Sequence, residues 1–319
     1  MNLLRKLAGN RIVFLAILIA TMTAVMSGLS PYFLTVDNLL GMTRFGATMA
    51  LLAMGQALIV LAGGAGIDIS MGSILSLSGV LFGLLVWKCG LDVWTASACG
   101  VVIGGLLGSV NGLTVAVWDF PPMIGTFATM WAYAALALII TGGVPVSGFP
   151  ESFAFLGQRT VAGIPAQIAL AVMPVYIILQ FVMSKTAFGR SVYLIGINQE
   201  AARFAGLSVT RIRFFLYCLS GLLAGMGGVI MASWLMAARP DIGVGLEMQA
   251  LTVTVLGGID IFGGSGSLAG VMLAVLVVIM MQSGMQLANI NTVWQLAVLG
   301  VILLGAVALN QALSRKTSN

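Results

Sequence analysis

Long apolar runs alternate with short glycine- and proline-rich breaks from one end of the chain to the other. A bilayer-spanning helix needs about 20 predominantly apolar residues. Candidate spans lie at Ile12–Leu34, Phe45–Ala62, Ser70–Trp87, Trp94–Trp118, Met123–Thr141, Gln167–Ser184, Phe214–Met236, Leu246–Leu256, Leu268–Leu287 and Val293–Leu309. The pattern predicts an all-α fold, a polytopic transmembrane helix bundle of about 10 spans. The eighth run, Leu246–Leu256, is short and leads straight into Gly257 and Gly258, so a half-helix that turns back is an alternative to a full span. In "GGLLGSVNG" (Gly104–Gly112) and "GLLAGMGG" (Gly221–Gly228) small residues recur four apart, the spacing that lets helix backbones approach closely in lipid.

Composition sharpens this picture. Of the 319 residues, 60% are hydrophobic and only 7% charged, where a soluble domain carries about a quarter charged residues. The net charge of +5 therefore does not point to nucleic acid. An excess of Lys and Arg marks the cytoplasmic side of a membrane protein. Arg5, Lys6 and Arg11 precede the first run, and Arg315 and Lys316 follow the last. Both termini are thus expected in the cytoplasm, with an even number of spans and one transmembrane domain over residues 1–319. The first run continues to about Leu29 without an A-x-A-like site, so it is expected as a retained span rather than a signal peptide.

Whole classes of chemistry fall away. Cys89, Cys99 and Cys218 lack any paired spacing for a metal or a disulfide, and the chain has no histidine. That removes the commonest general base and metal ligand. No G-x-x-x-x-G-K-[ST] phosphate loop occurs either. No metal and no cofactor on this chain are expected.

Two charged positions interrupt the apolar region. "GIDISMGS" (Gly66–Ser73) and "GIDIFGGS" (Gly258–Ser265) share the pattern G-I-D-I-x-x-G-S, and each follows an apolar run. The echo predicts an internal repeat, as in many transporters whose interrupted helices flank the substrate path. An aspartate at the centre of a bilayer helix costs about 2.5–3.5 kcal/mol on insertion scales, so Asp68 and Asp260 belong at a break, a cavity or a helix end. They are candidates for a translocation path or its gate, together with Ser70, Ser73 and Asn111. Helix capping is the alternative for each aspartate. For Asn111 the alternative is an interhelical hydrogen bond.

The most polar stretch is Lys185–Arg213, which holds five of the 14 basic residues: Lys185, Arg190, Arg203, Arg211 and Arg213. Within it "GINQEAARFAG" predicts a short helix over Gln199–Ala205. Asn198 is suited to its N-cap, Glu200 to its first turn and Gly206 to its C′ stop. A helix this short is marginal in water, so something must dock on it. Ala201, Ala202 and Ala205 leave room for close approach, Phe204 offers an anchor, and Glu200 and Arg203 are spaced to pair.

The segment Gly189–Ile230 resembles the cytoplasmic loop and following helix of the sugar-type permeases of bacterial ABC importers, the ribose/xylose/arabinose/galactoside branch. Glu200-Ala201-Ala202 and Gly206 match that family's "E-A-A…G" pattern. The segments Leu29–Leu40, Gly55–Gly79 and Val255–Gly270 are similar to its other recurrent stretches. The chain departs from the family at "GGAGID", which is longer than usual, and at Asp260, where an uncharged residue is more usual. These departures leave the fine substrate assignment in doubt.

The resemblance implies a permease subunit in the bacterial inner membrane that imports a monosaccharide or similar small polyol. It implies a coupling loop over 185–213 in which Asn198, Glu200, Ala201, Ala202, Arg203, Phe204 and Gly206 sit against an ATPase. The ATP and magnesium chemistry would then lie on that partner, as two ATP-binding subunits or one fused double ATPase. A homodimer or a heterodimer with a paralogous permease and a periplasmic substrate-binding protein complete the expected assembly in the lipid bilayer. Arg190, Arg211 and Arg213 would hold the loop ends at the headgroup layer. An autoinducer-type or nucleoside substrate, or an ion-coupled secondary transporter, are the alternatives.

Overall fold

The computed structural model describes residues 11–305, apart from positions 65, 292, 296 and 303. Arg5, Lys6, Arg315 and Lys316, on which the placement of the termini rests, lie outside the described residues. The described chain is helical, with four two-residue strands as its sheet content. In order come α1 (Arg11–Leu29), α2 (Val36–Leu61), α3 (Met71–Trp87), α4 (Val93–Gly112), α5 (Pro122–Thr141), the short α6 (Ala154–Gln158), α7 (Met173–Lys185), α8 (Ala187–Ile197), α9 (Gln199–Phe204), α10 (Val209–Leu235), α11 (Leu246–Leu256) and α12 (Leu268–Leu287). A last apolar helix occupies Val293–Ile302. Wide π-turns extend α4 over Leu113–Val117 and precede α7 over Ile168–Val172.

Among the described residues seven helices are long and apolar enough to cross a membrane, and α3, α11 and Val293–Ile302 supply shorter apolar ones at three further predicted positions. This is the predicted polytopic bundle. α2 begins at Val36, nine residues ahead of the expected Phe45, because "VDNLLGMTR" continues the helix through polar side chains that apolar counting rejects. α11, at 11 residues, is about 16 Å long and too short to span. The segment before it runs deep instead. Gly243 donates its N–H to Ser76 Oγ at 2.9 Å, and a methyl group added at Gly72 would collide with the Gly243 carbonyl.

Two glycine stripes build the centre. Gly104 and Gly108 on α4 lie against Gly221 and Gly225 on α10, so closely that a Cβ at any of these four would meet the facing backbone. The two small-residue words seen in the sequence are each other's partners. α2 packs on the same α10, and its stretch from Gly46 to Leu61 is buried throughout.

The two ends differ. At the end carrying the basic loops, called the basic end here, Arg11 donates to the carbonyls of Leu256 at 3.3 Å and Val255 at 3.0 Å, placing a cation at the C-terminus of α11. At the far end the Thr141–Gln167 segment folds over the bundle. β1 (Val146–Ser147) pairs with β4 (Ala237–Ala238), and β2 (Thr160–Val161) forms a hairpin with β3 (Ile164–Pro165). Phe149 and Phe153 from this cap stack against Phe82 of α3, with ring centroids 5.2 and 5.0 Å away. On the same surface Arg239 pairs with Asp241 at 3.0 Å and holds that carboxyl below its ordinary range, an exposed bridge of little weight for stability.

Candidate functional site

Asp68 sits in the extended stretch between α2 and α3 and is almost fully buried. The chain leaves α2 at Leu61, turns at Gly63 and Gly64, and enters α3 at Met71. Asp68 Oδ1 accepts from the Ser70 N–H at 2.8 Å and from Ser70 Oγ at 2.7 Å. Asn111, fully buried on α4, donates to Ser70 Oγ at 2.6 Å and to Asp68 Oδ2 at 3.4 Å, while its Oδ1 accepts from Thr129 Oγ1 of α5 at 2.6 Å. Ser73 Oγ donates to the Ser70 carbonyl at 2.8 Å.

Residues that sequence reading did not single out complete the knot. The Gln56 amide, oriented to suit its neighbours, donates to the Asp68 carbonyl at 3.0 Å and accepts the Asp68 N–H at 3.3 Å. Thr126 Oγ1 accepts from the Ile69 N–H at 3.3 Å. Gln56 carried a signal, a lone amide inside the apolar run of α2, whereas Thr126 and Thr129 are ordinary in a membrane helix. Asp68, Ser70, Ser73 and Asn111 are thus gathered in one sealed cluster.

Asp260 lies apart from it, half-buried in the loop between α11 and α12. Its Oδ1 accepts from the Phe262 N–H at 2.9 Å. Each echo therefore makes the same two-residue aspartate turn, onto Ser70 in the first and onto Phe262 in the second.

The polar loop holds the predicted short helix, now α9. Asn198 Oδ1 accepts from the Ala201 N–H at 2.9 Å, and Gly206 takes the left-handed conformation (φ +84°) that suits a C′ residue. Ala202 faces inward onto Ile195 and Val209. The rest of α9 faces out: Glu200, Ala201, Arg203 and Phe204 are exposed, and Phe204 is 93% exposed. Among the described residues Glu200 and Arg203 form no ion pair with each other. The structure adds α8, an amphipathic helix capped by Thr186, which sequence reading passed over because it follows a span directly. Arg213 is buried, its guanidinium beside Gly64, while Arg190 and Arg211 are exposed.

Gly196, in the last turn of α8, connects these parts. Its backbone lies against the Leu61 carbonyl and Gly264, and the Gly264 N–H donates to the Leu61 carbonyl at 3.0 Å. Tyr193 on α8 donates its hydroxyl to the Gly266 carbonyl at 3.0 Å. The α8–α9 unit thus touches the loops that carry both aspartates.

Residues 38–307 match the family described as branched-chain amino acid transport system, permease component. The chain belongs to this permease family. It is 36% identical over 290 residues to the ribose import permease protein RbsC of Bacillus subtilis, covering 90% of this chain and 88% of that one. To the D-allose transport system permease protein AlsC of Escherichia coli it is 32% identical over 300 residues, or 93% and 91% of the two chains. To the autoinducer 2 import system permease protein LsrD of Klebsiella pneumoniae it is 33% identical over 306 residues, or 94% and 90%. No solved structure matches the chain significantly. As a member of this family the protein is a multi-pass membrane permease, a transport component rather than an enzyme.

Proposed function

We propose that this permease is the membrane subunit of an ATP-driven importer for a monosaccharide or similar small polyol. The observation that carries this reading is the pairing of near full-length similarity to ribose and allose permeases with a surface helix that leaves its one aromatic residue, Phe204, bare. Neither packing nor capping explains that exposure, whereas a cleft in an ATPase subunit does. ATP and magnesium are handled on that partner, either two ATP-binding subunits or one fused double ATPase. The permease pairs with a second copy or a paralogue in the bacterial inner membrane, with its basic end in the cytoplasm. A periplasmic binding protein delivers the solute to the far end. The similarity to LsrD supports an autoinducer-type substrate as the second reading.

The coupling route follows the contacts. Closure of the ATPase displaces α9, and α9 is joined through Asn198 to α8. Gly196 then presses on Leu61 and Gly264, shifting the segments that lead to Asp68 and Asp260. In this reading the knot of Asp68, Ser70, Ser73 and Asn111 is a gate element, tying α3, α4 and α5 so that they move as one body. Asp260 holds the facing loop. The test is a pull-down from detergent extract, comparing the intact chain with one whose 199–205 segment is a Gly/Ser linker. Copurification of an ATPase with the intact chain and its loss with the linker is the expected outcome. Absence of any ATPase from the intact chain under gentle extraction would overturn the reading.

A further inference from the structure

A cleft of about 570 Å³ lies at the end opposite the basic loops and is not used by the knot or by the docking helix. Elements far apart in sequence converge on it. α2 contributes Asn38, α10 contributes Trp234, α11 contributes Gln249, and α12 contributes Gln282, Ser283 and Gln286. Among the described residues the lining carries several amides but no Asp, Glu, Lys or Arg. A second cleft on the other side of α2, about 430 Å³, shares Ile279 with it and is almost wholly hydrocarbon. The amides are therefore a local concentration and not a general property of the bundle.

Each amide offers both a donor and an acceptor, the combination that a hydroxyl group reciprocates. Gln282 Nε2 donates to Gln249 Oε1 at 3.1 Å, and Ser283 Oγ donates to Asn38 Oδ1 at 2.8 Å. These pairs hold the side chains in place. The Gln282 Oε1 atom is buried and has no hydrogen-bond partner among the described residues, an acceptor left unsatisfied beside the cleft. Trp234 supplies an aromatic surface beside the amides, on a backbone held by the cap. Its carbonyl accepts from Gln158 Nε2 at 2.9 Å, and Gly157 of the cap packs against its backbone. A flat apolar surface flanked by uncharged hydrogen-bonding groups fits a ring with C–H faces and a hydroxyl rim.

We infer that this amide-lined cleft is a binding station for an uncharged polyhydroxylated ring on its way through the permease. The inference rests on the sugar-importer reading and deepens it by assigning the solute's contacts. With no Lys or Arg among the described lining residues, the cleft suits an uncharged ring better than a sugar phosphate.

The test uses cells producing the whole importer: permease, ATPase and binding protein. Uptake of radiolabelled D-ribose, D-allose and D-xylose is measured for the wild type and for Q249L, Q282L and Q282N, with T43V in the hydrocarbon cleft as control. The expected result is an uptake loss of about tenfold or more in Q249L and Q282L, the effect of one lost hydrogen bond left unsatisfied. Q282N keeps part of the activity and T43V all of it, while ATP hydrolysis stimulated by the binding protein persists in every variant. Uptake within twofold of wild type in both leucine variants, at equal membrane level, would overturn the station and leave the importer reading standing. If the wild type accumulates none of the three sugars and the binding protein, screened against a panel of monosaccharides and polyols, binds none of them, the sugar reading fails and takes the station with it. Should the leucine variants not reach the membrane, S283C in a chain without Cys89, Cys99 and Cys218 decides. Slowed labelling by an impermeant thiol reagent in the presence of the transported sugar supports the station, and unchanged labelling refutes it.

Discussion

Asn111 is a residue whose type follows from its surroundings. It donates to Ser70 and Asp68 with one end of its amide and accepts from Thr129 with the other, which neither aspartate nor leucine of similar size can do. Asn111→Ala removes the one side chain that joins Ser70 and Asp68 to Thr129 of α5 and leaves a buried gap, although Ser70 and Thr129 keep their other hydrogen bonds. A loss of about 1–3 kcal/mol is expected, read as a lower melting temperature in detergent. Asp68→Asn is milder, because an amide oxygen still accepts from the Ser70 N–H; a stably inserted variant with uptake within about tenfold of wild type is expected. Complete loss of transport in that variant would show that the carboxylate's charge itself is used. Asp68 was visible in the sequence because a charge in an apolar run is costly. Its partners Gln56, Thr126 and Thr129 were not, since uncharged polar residues are common in membrane helices and only tertiary contact tells which of them meet.

At the level of elements, the helices were legible and their pairing was not. Apolar length announced ten segments, and the glycine words announced two close-packing faces, but nothing local says that Gly104 and Gly108 meet Gly221 and Gly225. Gly108→Leu has no room against the Tyr217 carbonyl and Gly221, so it should force α4 from α10 and cost about 1–3 kcal/mol or more. A protease-accessibility assay on the purified protein reads this as earlier cleavage. α9 was legible to within a residue because its cap, first turn and stop are chemical signals in the sequence. α8 was not, since its apolar face reads as a continuation of α7. Phe204→Ser should leave α9 folded, given that Asn198 and Ala202 hold it, yet reduce ATPase copurification by about tenfold, the effect of removing a central aromatic anchor.

At the scale of the whole molecule, the close contacts of Gly196 with Leu61 and Gly264 join positions more than sixty residues apart on either side. No window of sequence contains such a contact, which is why the proposed route from α9 to the two echoes was out of reach of pattern reading. Gly196→Val separates binding from transmission. α9 lies outside the junction, so the ATPase should still copurify, while uptake should fall at least tenfold because the valine pushes α8 away from the Leu61 carbonyl. Retained uptake would mean that motion reaches the bundle another way. The echo shows the same division between scales. Its repeated letters fold into the same aspartate turn twice, but one copy is buried among partners and the other lies half open.

Phe204 has a consequence for the cell that makes this protein. Phe204 is a bare aromatic on a six-residue helix, and uncovered apolar surface is a general handle for cellular triage of incompletely assembled chains. If α9 docks on an ATPase as proposed, a permease made in excess of that ATPase keeps Phe204 uncovered and so carries a mark of its own orphan state. Supply of the two subunits would then be balanced after synthesis, by turnover of whichever permease copies remain uncovered.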